Sequence, residues 1–474
     1  KIQKNKKNLN NLNFNKLNSD NIILTDPRYW YSINNKEKLN YKKWIDLKEK
    51  VLNGGMLLSK RPDQFLPAGW PTFYRKASGC HIWDINNKKY LDFSLMGVGT
   101  NILGYSNKSI NNHVIKNINN GSISTLNSGL DKLLAEKLIK IHPWSKMATF
   151  SRTGAEANAI AIRIARIFSQ KDEIAICGYH GWHDWYLSAN LNKKISKGVL
   201  KDHLLPGLST DGVPKNLRNT VYPFNFNDIE TLEKICSNNK IGVIKMEIFR
   251  NIPPKKNFLE KVRKLATKKR IVLIFDECTS GFRESFGGLH LKYNVFPDMC
   301  ILGKALGNGF PITTILGKKE IMENAQSSFI SSTFWTERIG PSAALATLAI
   351  MKKIKSWDII TKKGNLVRSG WKKISNKYNL NIEISGIPSL STFRFISKNH
   401  LEYKTYITQE MLKKGFLAST IFYSSIAHKE KYIKKYLDEL DSVFYKISEC
   451  EKRNISIKGL LKGPVCHSQF NRLN

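Results

Sequence analysis

The chain has 474 residues, of which 41% are hydrophobic and 11% aromatic, a composition typical of a folded protein with a large core and not of a disordered chain. Its apolar runs fall well short of the roughly 18 residues that cross a bilayer, so no membrane span is expected. The formal net charge is +38, but the excess is lysine spread evenly along the chain, without arginine-rich or aromatic-interleaved tracts. We therefore expect no nucleic-acid partner.

The cysteine and histidine residues give no sign of a disulfide framework or a metal site. The seven cysteines are scattered, with no Cys-x-x-Cys pair and no regular spacing, which favours a reducing, cytoplasmic location. His180, His183 and Asp184 are close in sequence, but the i, i+3 pair of histidines lies in a tryptophan-rich loop and does not by itself form a ligand set. No metal is predicted.

The first third of the chain begins with a region rich in lysine and asparagine, residues 1–34, which predicts a solvated arm. From Tyr74 onward, apolar and polar residues alternate on either side of Asn86 and Asn87, and this pattern predicts a β-hairpin. We assign residues 35–95 to the N-terminal segment of a small domain.

The stretch around Gly154 predicts a strand, a tight turn and a helix. Apolar residues recur at helical spacing after the turn, from Ala157 to Phe168. The backbone N–H groups of Gly154 and Ala155 would then be free at the start of the helix, which is a suitable place for a phosphate. The alternative is an ordinary N-cap by Thr153, without any anion.

Four further apolar runs alternate with helical or loop segments and predict the strands of a large α/β domain. They are residues 173–177, 241–248, 271–275 and 299–302. This alternation indicates a mainly parallel sheet with helices on both faces, which we place at residues 96–350. Residues 351–450 are expected to form a C-terminal α+β small domain, and residues 451–474 a tail.

An acidic and a basic residue follow two of these predicted strands. Asp276 ends one apolar run, and Lys304 follows the next one inside a glycine-rich turn. Ligands of parallel sheets bind beyond the carboxyl ends of the strands, so the two side chains are candidates for one site. From these residues alone, a helix-capping aspartate and a solvated lysine explain the pattern equally well.

Together, these features match the requirements of pyridoxal 5'-phosphate (PLP). The phosphate needs a helix N-terminus, here at Gly154 and Ala155. The ring needs an aromatic face, which Tyr179 can supply, and a carboxylate at its nitrogen, which Asp276 can supply. The aldehyde needs an amine, and Lys304 offers one.

Four motifs in order resemble those of the class III aminotransferases of fold type I, the family that includes glutamate-1-semialdehyde 2,1-aminomutase. TGAEA at 153–157 resembles SGTEA, and YHG at 179–181 is identical. FDECTSGFR at 275–283 resembles LDEVMTGFR, and LGKALGNGFP at 302–311 resembles LGKIIGGGMP. The resemblance runs from Gly54 to Glu439 and implies a PLP-dependent enzyme with a large α/β domain and a small domain.

The resemblance also implies roles for individual residues around the cofactor. Lys304 would form the internal aldimine and move the proton between the substrate α-carbon and the cofactor. Cys278 would lie against the ring face opposite Tyr179. Glu247 matches the glutamate of the family's Glu-Pro motif, although Ile248 replaces the proline.

Two further residues follow from the same resemblance. His180 is expected near the cofactor in a packing or hydrogen-bonding role. Thr333 lies where the family extends a threonine to the phosphate of the neighbouring subunit, which implies a homodimer with shared active sites.

The substrate is the part on which the family divides. Arg61 falls where the aminomutase has an arginine for the substrate carboxylate, although a surface arginine is the alternative. Leu58, Met96 and Thr420 replace three residues on the substrate side of the aminomutase. We therefore favour an aminotransferase that moves an amino group from a donor to a separate keto or aldehyde acceptor. An intramolecular aminomutase and a non-catalytic basic binding protein on the same fold are the alternatives.

Overall fold

The computed structural model describes residues 39–52, 57–67, 69–191, 208–249 and 251–467. The predicted N-terminal arm, residues 1–34, lies outside the described residues, as do residues 468–474 of the predicted tail. Within the described part, no helix combines the length and the apolar character needed to span a membrane.

Helices and strands alternate along most of the described chain. The helices are α1 (Leu39–Lys50), α2 (Met96–Gly99), α3 (Lys108–Asn119), α4 (Leu130–Ile141), α5 (Gly154–Ser169), α6 (Asp184–Leu187), α7 (Ile229–Asn238), α8 (Phe258–Lys268), α9 (His290–Tyr293), α10 (Lys319–Met322), α11 (Ile339–Ile354), α12 (Ser356–Lys377), α13 (His400–Lys413) and α14 (Glu430–Lys452). The strands are β1 (Tyr74–Ser78), β2 (His81–Asp84), β3 (Lys89–Phe93), β4 (Met147–Ser151), β5 (Glu173–Cys177), β6 (Val221–Pro223), β7 (Ile241–Glu247), β8 (Val272–Glu277), β9 (Met299–Leu302), β10 (Thr313–Gly317), β11 (Ile382–Ser385), β12 (Leu390–Phe395), β13 (Phe416–Ala418) and β14 (Ile421–Tyr423).

The central element is a seven-stranded sheet of order β4-β10-β9-β8-β7-β5-β6. Strands β9, β8, β7, β5 and β6 pair in parallel, whereas β10 is antiparallel to both of its neighbours. The carboxyl ends of the parallel strands therefore lie along one edge, where loops can form a ligand site.

Two smaller sheets are built from the ends of the described chain. The hairpin β2–β3 forms around the predicted turn, with Asn87 at φ 61°, and β3 also pairs in parallel with β13. N-terminal and C-terminal segments therefore share one sheet of order β1-β2-β3-β13. The third sheet has the order β11-β12-β14. The domain boundaries stay a prediction, and α11 runs across the one expected at residue 350.

The two faces of the large sheet bury different residues. Side chains alternate along a strand, so Ile274 and Asp276 of β8 face one side, and Phe275 and Glu277 the other. Ile274 packs with α5 residues such as Ala161, and Phe275 packs with the residues of α8. The first face carries the candidate site.

Helix α5 begins where the sequence predicts, because its first turn is capped twice. The Thr153 hydroxyl accepts a hydrogen bond from the Glu156 N–H at 3.3 Å, and Glu156 Oε2 accepts one from the Thr153 N–H at 2.8 Å. This reciprocal capping box fixes the helix start. It leaves the N–H groups of Gly154 and Ala155 without an intrahelical acceptor.

Candidate active site

The site lies at the carboxyl ends of β7, β8 and β9. The parallel register pairs Glu247 at the end of β7 with Asp276 near the end of β8. Lys304 follows β9 after Gly303 and has a positive φ of 41°. The fold thus brings the predicted acid and the predicted lysine to the same edge.

Asp276 is a buried carboxylate with basic neighbours. Its Oδ2 lies 2.9 Å from His180 Nδ1 and 3.8 Å from Lys245 Nζ, and its Oδ1 accepts the Cys278 N–H at 3.1 Å. Burial raises the pKa of Asp276, but the charge of Lys245 and the hydrogen bond from His180 outweigh it, and the net pKa is well below the usual range. Asp276 is therefore anionic.

Glu247 holds the loop that follows β5. Its Oε2 accepts the Tyr179 N–H at 3.0 Å. Gly178 has a φ of +114°, and a Cβ there would lie 2.5 Å from Glu247 Oε2, so only glycine allows the carboxylate to approach so closely. Glu247 thereby positions Tyr179 and His180.

The same loop packs on the start of α5. Gly181 has a φ of +104°, and a Cβ at this position would lie 2.8 Å from Ala155 Cβ. Cys278 Sγ lies between the helix start and the lysine turn, because Cβ atoms at Gly154 and at Gly303 would each be 3.2 Å from it. The Tyr179 loop and Cys278 therefore both pack on the N-terminus of α5.

Lys304 is partly buried and points its amine at a hydroxyl group. Its Nζ donates to Thr279 Oγ1 at 2.6 Å. Burial lowers the pKa of the amine and outweighs the opposing effect of Cys278, and the nearby Arg283 guanidinium also lowers it, whereas Glu247 and Asp276 act in the opposite direction. A depressed pKa increases the neutral fraction of the amine, which is the form that can attack a carbonyl or accept a proton.

The polar groups of this site match the parts of PLP that a protein must bind. The N–H groups at the start of α5 suit a phosphate. Asp276 is an anion that can hold a proton on a ring nitrogen, and Lys304 is an amine with a depressed pKa. His180 Nε2 is buried without a hydrogen-bond partner among the described residues, an orphaned polar atom of the kind found where a ligand completes a site.

Two further predicted site residues, Thr333 and Arg61, have different surroundings. Thr333 is in an exposed 3₁₀ turn, Thr333–Thr336. Arg61 is buried, at 5% exposure, and its guanidinium faces Asp63, with Nη2–Oδ2 at 2.8 Å and Nε–Oδ1 at 3.2 Å. The fork predicted to receive a substrate carboxylate is therefore already paired with a carboxylate of its own chain.

The substrate-side residues Met96 and Thr420 are both buried. The short element α2 is a left-handed turn and not a regular α-helix, because Met96, Gly97, Val98 and Gly99 all have φ between 43° and 80°. A β-branched residue such as Val98 rarely adopts this backbone, and such strain is concentrated at functional sites. Arg283 donates to the Gly99 carbonyl, which links the turn to the surroundings of Lys304.

The opposite face of β8 carries a second carboxylate, Glu277. Its Oε1 accepts His290 Nδ1 at 2.6 Å, and His290 Nε2 accepts the Trp144 indole N–H at 2.8 Å. Ser280 and the backbone of Leu289 and His290 also donate to Glu277. Glu277, His290 and Cys300 have the spacing of a metal site, but these hydrogen bonds already use the carboxylate and both imidazole nitrogens.

Sequence reasoning missed Lys245 and Thr279. Lys245 is the one charged residue inside the apolar run of β7 before Glu247, and a lysine within a buried strand is the signal that could have identified it. Thr279 lies in the loop after Asp276, and only the folded chain brings its hydroxyl to Lys304.

Solved structures share this architecture. The chain superposes on the Sphingopyxis sp. MTA144 FumI protein in its PLP internal aldimine form with a TM-score of 0.78 and 22% identity, covering 89% of this chain and 100% of that one. An omega-transaminase from Sphaerobacter thermophilus gives a TM-score of 0.76 and 20% identity, covering 87% and 98%. The fold is that of the fold type I PLP-dependent transaminases.

Sequence comparison identifies the family. The profile of the class III aminotransferases matches residues 67–449, and the chain belongs to this family. It is 33% identical to the 3-aminobutyryl-CoA aminotransferase of Cloacimonas acidaminovorans over 386 residues, 79% of this chain and 88% of the relative. It is also 33% identical to the glutamate-1-semialdehyde 2,1-aminomutase of Methanosphaera stadtmanae over 352 residues, 72% and 80%.

These findings confirm the predicted family, fold class and cofactor. The protein is a PLP-dependent enzyme of the class III aminotransferase family. Relatives that transfer an amino group between molecules and relatives named as aminomutases are both among those it matches.

Proposed function

We propose that this enzyme transfers an amino group from a donor to a separate keto or aldehyde acceptor, with Lys304 as its catalytic residue. The observation that carries the proposal is the position of the Lys304 amine at the same strand edge as the Asp276 carboxylate, beside Cys278 and the start of α5. A fold-only binding protein has no need to bury a lysine with a depressed pKa next to a buried anion.

Each residue of the site has a proposed task. The N–H groups of Gly154 and Ala155 bind the phosphate, and Asp276 holds the ring-nitrogen proton while His180 orients the carboxylate. Tyr179 and Cys278 would hold the ring between them, with Glu247 positioning the Tyr179 loop. When bound, the cofactor would supply a reactive carbonyl and an electron-withdrawing ring. The Lys304 amine would hold the cofactor at that carbonyl, with release of water, and would move the proton at the substrate α-carbon.

Absorbance of the purified protein with added PLP tests the cofactor site. We expect a visible band from the lysine-linked cofactor that borohydride bleaches and that Lys304→Ala lacks. Thr279→Val, which removes only the hydroxyl that Lys304 contacts, is the matched control and should keep the band. A wild-type protein that forms no such band would contradict the proposal.

Labelled nitrogen distinguishes the aminotransferase from the aminomutase. A ¹⁵N-labelled amino donor and an unlabelled keto or aldehyde acceptor should give a labelled amine product derived from the acceptor. Amino acids and CoA-linked amines are the first donors to test, since one relative is a 3-aminobutyryl-CoA aminotransferase. Migration of the label only within glutamate-1-semialdehyde would show that the aminomutase alternative is correct.

Arg61 is the proposed partner of a substrate carboxylate, and to bind it the guanidinium must exchange its Asp63 partner. The chain has 76 lysine and arginine residues against 38 aspartate and glutamate residues, which favours anionic small molecules near the site.

The seven cysteines of the chain are all unpaired, which supports the proposed reducing, cytoplasmic location.

The proposed homodimer places Thr333 in the neighbouring active site. Support comes from large apolar side chains that are exposed on this chain near Thr333, with Phe334 at 63% and Phe329 at 85% exposure. Arg152, directly before the α5 cap, donates to the carbonyl of Trp335 at 3.0 Å, so the exposed segment is attached to the phosphate end of the site. Exposed apolar patches of this kind are typical of subunit interfaces.

Mixed subunits test the shared site. Lys304→Ala and Thr333→Ala homodimers should each have low activity, and hybrids formed by subunit exchange should regain part of it, because one of the two sites then carries both native residues. Sedimentation of the proteins verifies the dimer. An inactive mixture with demonstrated exchange would contradict the role of Thr333.

A further inference from the structure

Lys245 is a buried amine for which the transamination site described above has no task. It lies in the middle of β7, all of whose residues are buried, and its side chain is fully inaccessible. Its Nζ has no hydrogen-bond acceptor among the described residues. The nearest anionic atom that the structure gives it is Asp276 Oδ2, at 3.8 Å.

The sheet register explains why this lysine faces the site. On β7, Lys245 and Glu247 point to the same face, because side chains alternate along a strand. The pairing of Lys245 with Ile274 and of Glu247 with Asp276 places all four on that face. Lys245 therefore approaches the Asp276 carboxylate from the neighbouring strand, at the same oxygen that His180 contacts.

The position is unfavourable for a lysine that serves only the fold. A buried amine without hydrogen bonds pays the cost of leaving water, whereas an apolar side chain of similar volume would fill the same space without it. Burial lowers the pKa of Lys245, while the charges of Asp276, Cys278, Cys300 and Glu247 act in the opposite direction. A costly buried group directed at an active-site carboxylate indicates a role in the reaction.

We propose that Lys245 is a positioning residue of the active site, whose amine shares the Asp276 carboxylate with the cofactor ring nitrogen and weakens the hold of that carboxylate on the ring-nitrogen proton. The inference rests on the proposed function, in which Asp276 pairs with the ring nitrogen. Lys245 would affect how strongly the cofactor ring withdraws electrons, whereas Lys304 remains the residue that moves the proton.

Three groups bear on the charge of Asp276, and they act in the same direction. His180 donates to Oδ2, the Cys278 backbone N–H donates to Oδ1, and Lys245 adds positive charge beside Oδ2. Each interaction stabilises the carboxylate as an anion and makes it a weaker acceptor for the ring proton. Lys245 differs from the other two in that its contribution is a charge without a hydrogen bond.

Replacing Lys245 with methionine removes this charge and keeps the side-chain length. With a ¹⁵N-labelled ring, NMR should show the ring nitrogen of Lys245→Met protonated up to a pH about one unit higher than in the wild type, since a neighbouring charge shifts a pKa by about one unit or more. The dissociation constant for PLP should fall by several-fold to about tenfold. Lys240→Met, at an exposed position directly before β7, is the matched control and should change neither quantity.

A second variant keeps the test decisive if methionine disturbs packing. Lys245→Gln retains a polar group and removes the charge, and it should shift the ring-nitrogen titration in the same direction. An unchanged titration and unchanged PLP affinity in both variants would overturn the proposal. A wild-type protein without a lysine-linked absorbance band would instead contradict the proposed function, so the two failures are distinguishable.

Discussion

Adjacent residues of β8, Asp276 and Glu277, form two carboxylate sites on opposite faces of one sheet. Both are buried and both contact a histidine Nδ1, at 2.9 Å from His180 and 2.6 Å from His290. On the Glu277 face, hydrogen bonds use the carboxylate and both nitrogens of the imidazole. On the Asp276 face, His180 Nε2 and Lys245 Nζ have no hydrogen-bond partner within the part of the chain that the structure describes.

The two faces of β8 differ in whether the buried polar groups have all their hydrogen bonds. A buried network with complete hydrogen bonds stabilises the fold and has no unused donor or acceptor for a ligand. A buried network with unused donors and acceptors is costly unless something else completes it. We therefore propose that the Asp276 face is the active site and that the Glu277 face supports the sheet behind it.

The largest effect is expected for the amine that serves the Asp276 face. Lys304→Ala should reduce kcat by about 10³-fold or more, because it removes both the attachment point and the proton-transfer group. Steady-state kinetics with a saturating donor measure this loss. Thr279→Val should cost only about tenfold, the scale of one hydrogen bond; equal losses in the two variants would contradict the assignment of Lys304.

The second largest kinetic effect is expected for Asp276, and Glu277 is the carboxylate to compare it with. Asp276→Asn should lower kcat roughly 10²-fold, because a preorganised charge at the ring nitrogen is lost. Glu277→Gln should leave the visible cofactor band and the activity of the folded protein close to those of the wild type. Similar kinetic losses in both variants would contradict the division between an active face and a supporting face.

Glu277→Gln should instead destabilise the fold. The amide cannot accept all the hydrogen bonds that Ser280, Leu289 and His290 donate to the carboxylate, and each such bond to a charged group contributes about 1.5–3 kcal/mol. We expect the free energy of unfolding to fall by about 3 kcal/mol in urea denaturation. An unchanged midpoint of denaturation would show that the network does not support the sheet.

The same comparison predicts a pH dependence. Burial raises the pKa of Glu277, but the His290 and backbone hydrogen bonds outweigh it and the net pKa is lowered. The stabilisation by Glu277 is therefore present above its unfolded pKa of about 4.3 and is lost as the pH falls through the folded pKa. The difference in unfolding free energy between wild type and Glu277→Gln should shrink below about pH 4.3, and a constant difference would contradict this origin.

The smallest effect is expected at Arg61. Arg61→Met and Asp63→Asn each break the same hydrogen-bonded pair, and each should lower the free energy of unfolding by about 1.5 kcal/mol, the scale of one hydrogen bond to a charged group. Substrate KM separates the two roles of Arg61. If Arg61 also binds a substrate carboxylate, Arg61→Met should raise KM while Asp63→Asn lowers it; parallel changes in both variants would indicate a role in the fold alone.

Short-range sequence patterns were sufficient for much of the fold. The predicted strands 173–177 and 299–302 coincide with β5 and β9, because continuous apolar runs of that length mark buried strands. Strand β10 was missed. Its sequence, TTILG, follows a glycine-rich turn, and one of its two partner strands, β4, lies more than 150 positions earlier in the chain. Helix α4 begins only at Leu130, because Gly129 before it is in the left-handed region.

The sequence alone was sufficient for the family and the cofactor, and it proposed Asp276 and Lys304 as site residues, because ordered motifs at strand ends encode the cofactor site locally. The tertiary structure decided which side chains complete the site. Only the register of β7 against β8 brings Lys245 to Asp276, and only the loop after β8 brings Thr279 to Lys304. These contacts depend on distances between chain segments, which no local pattern specifies.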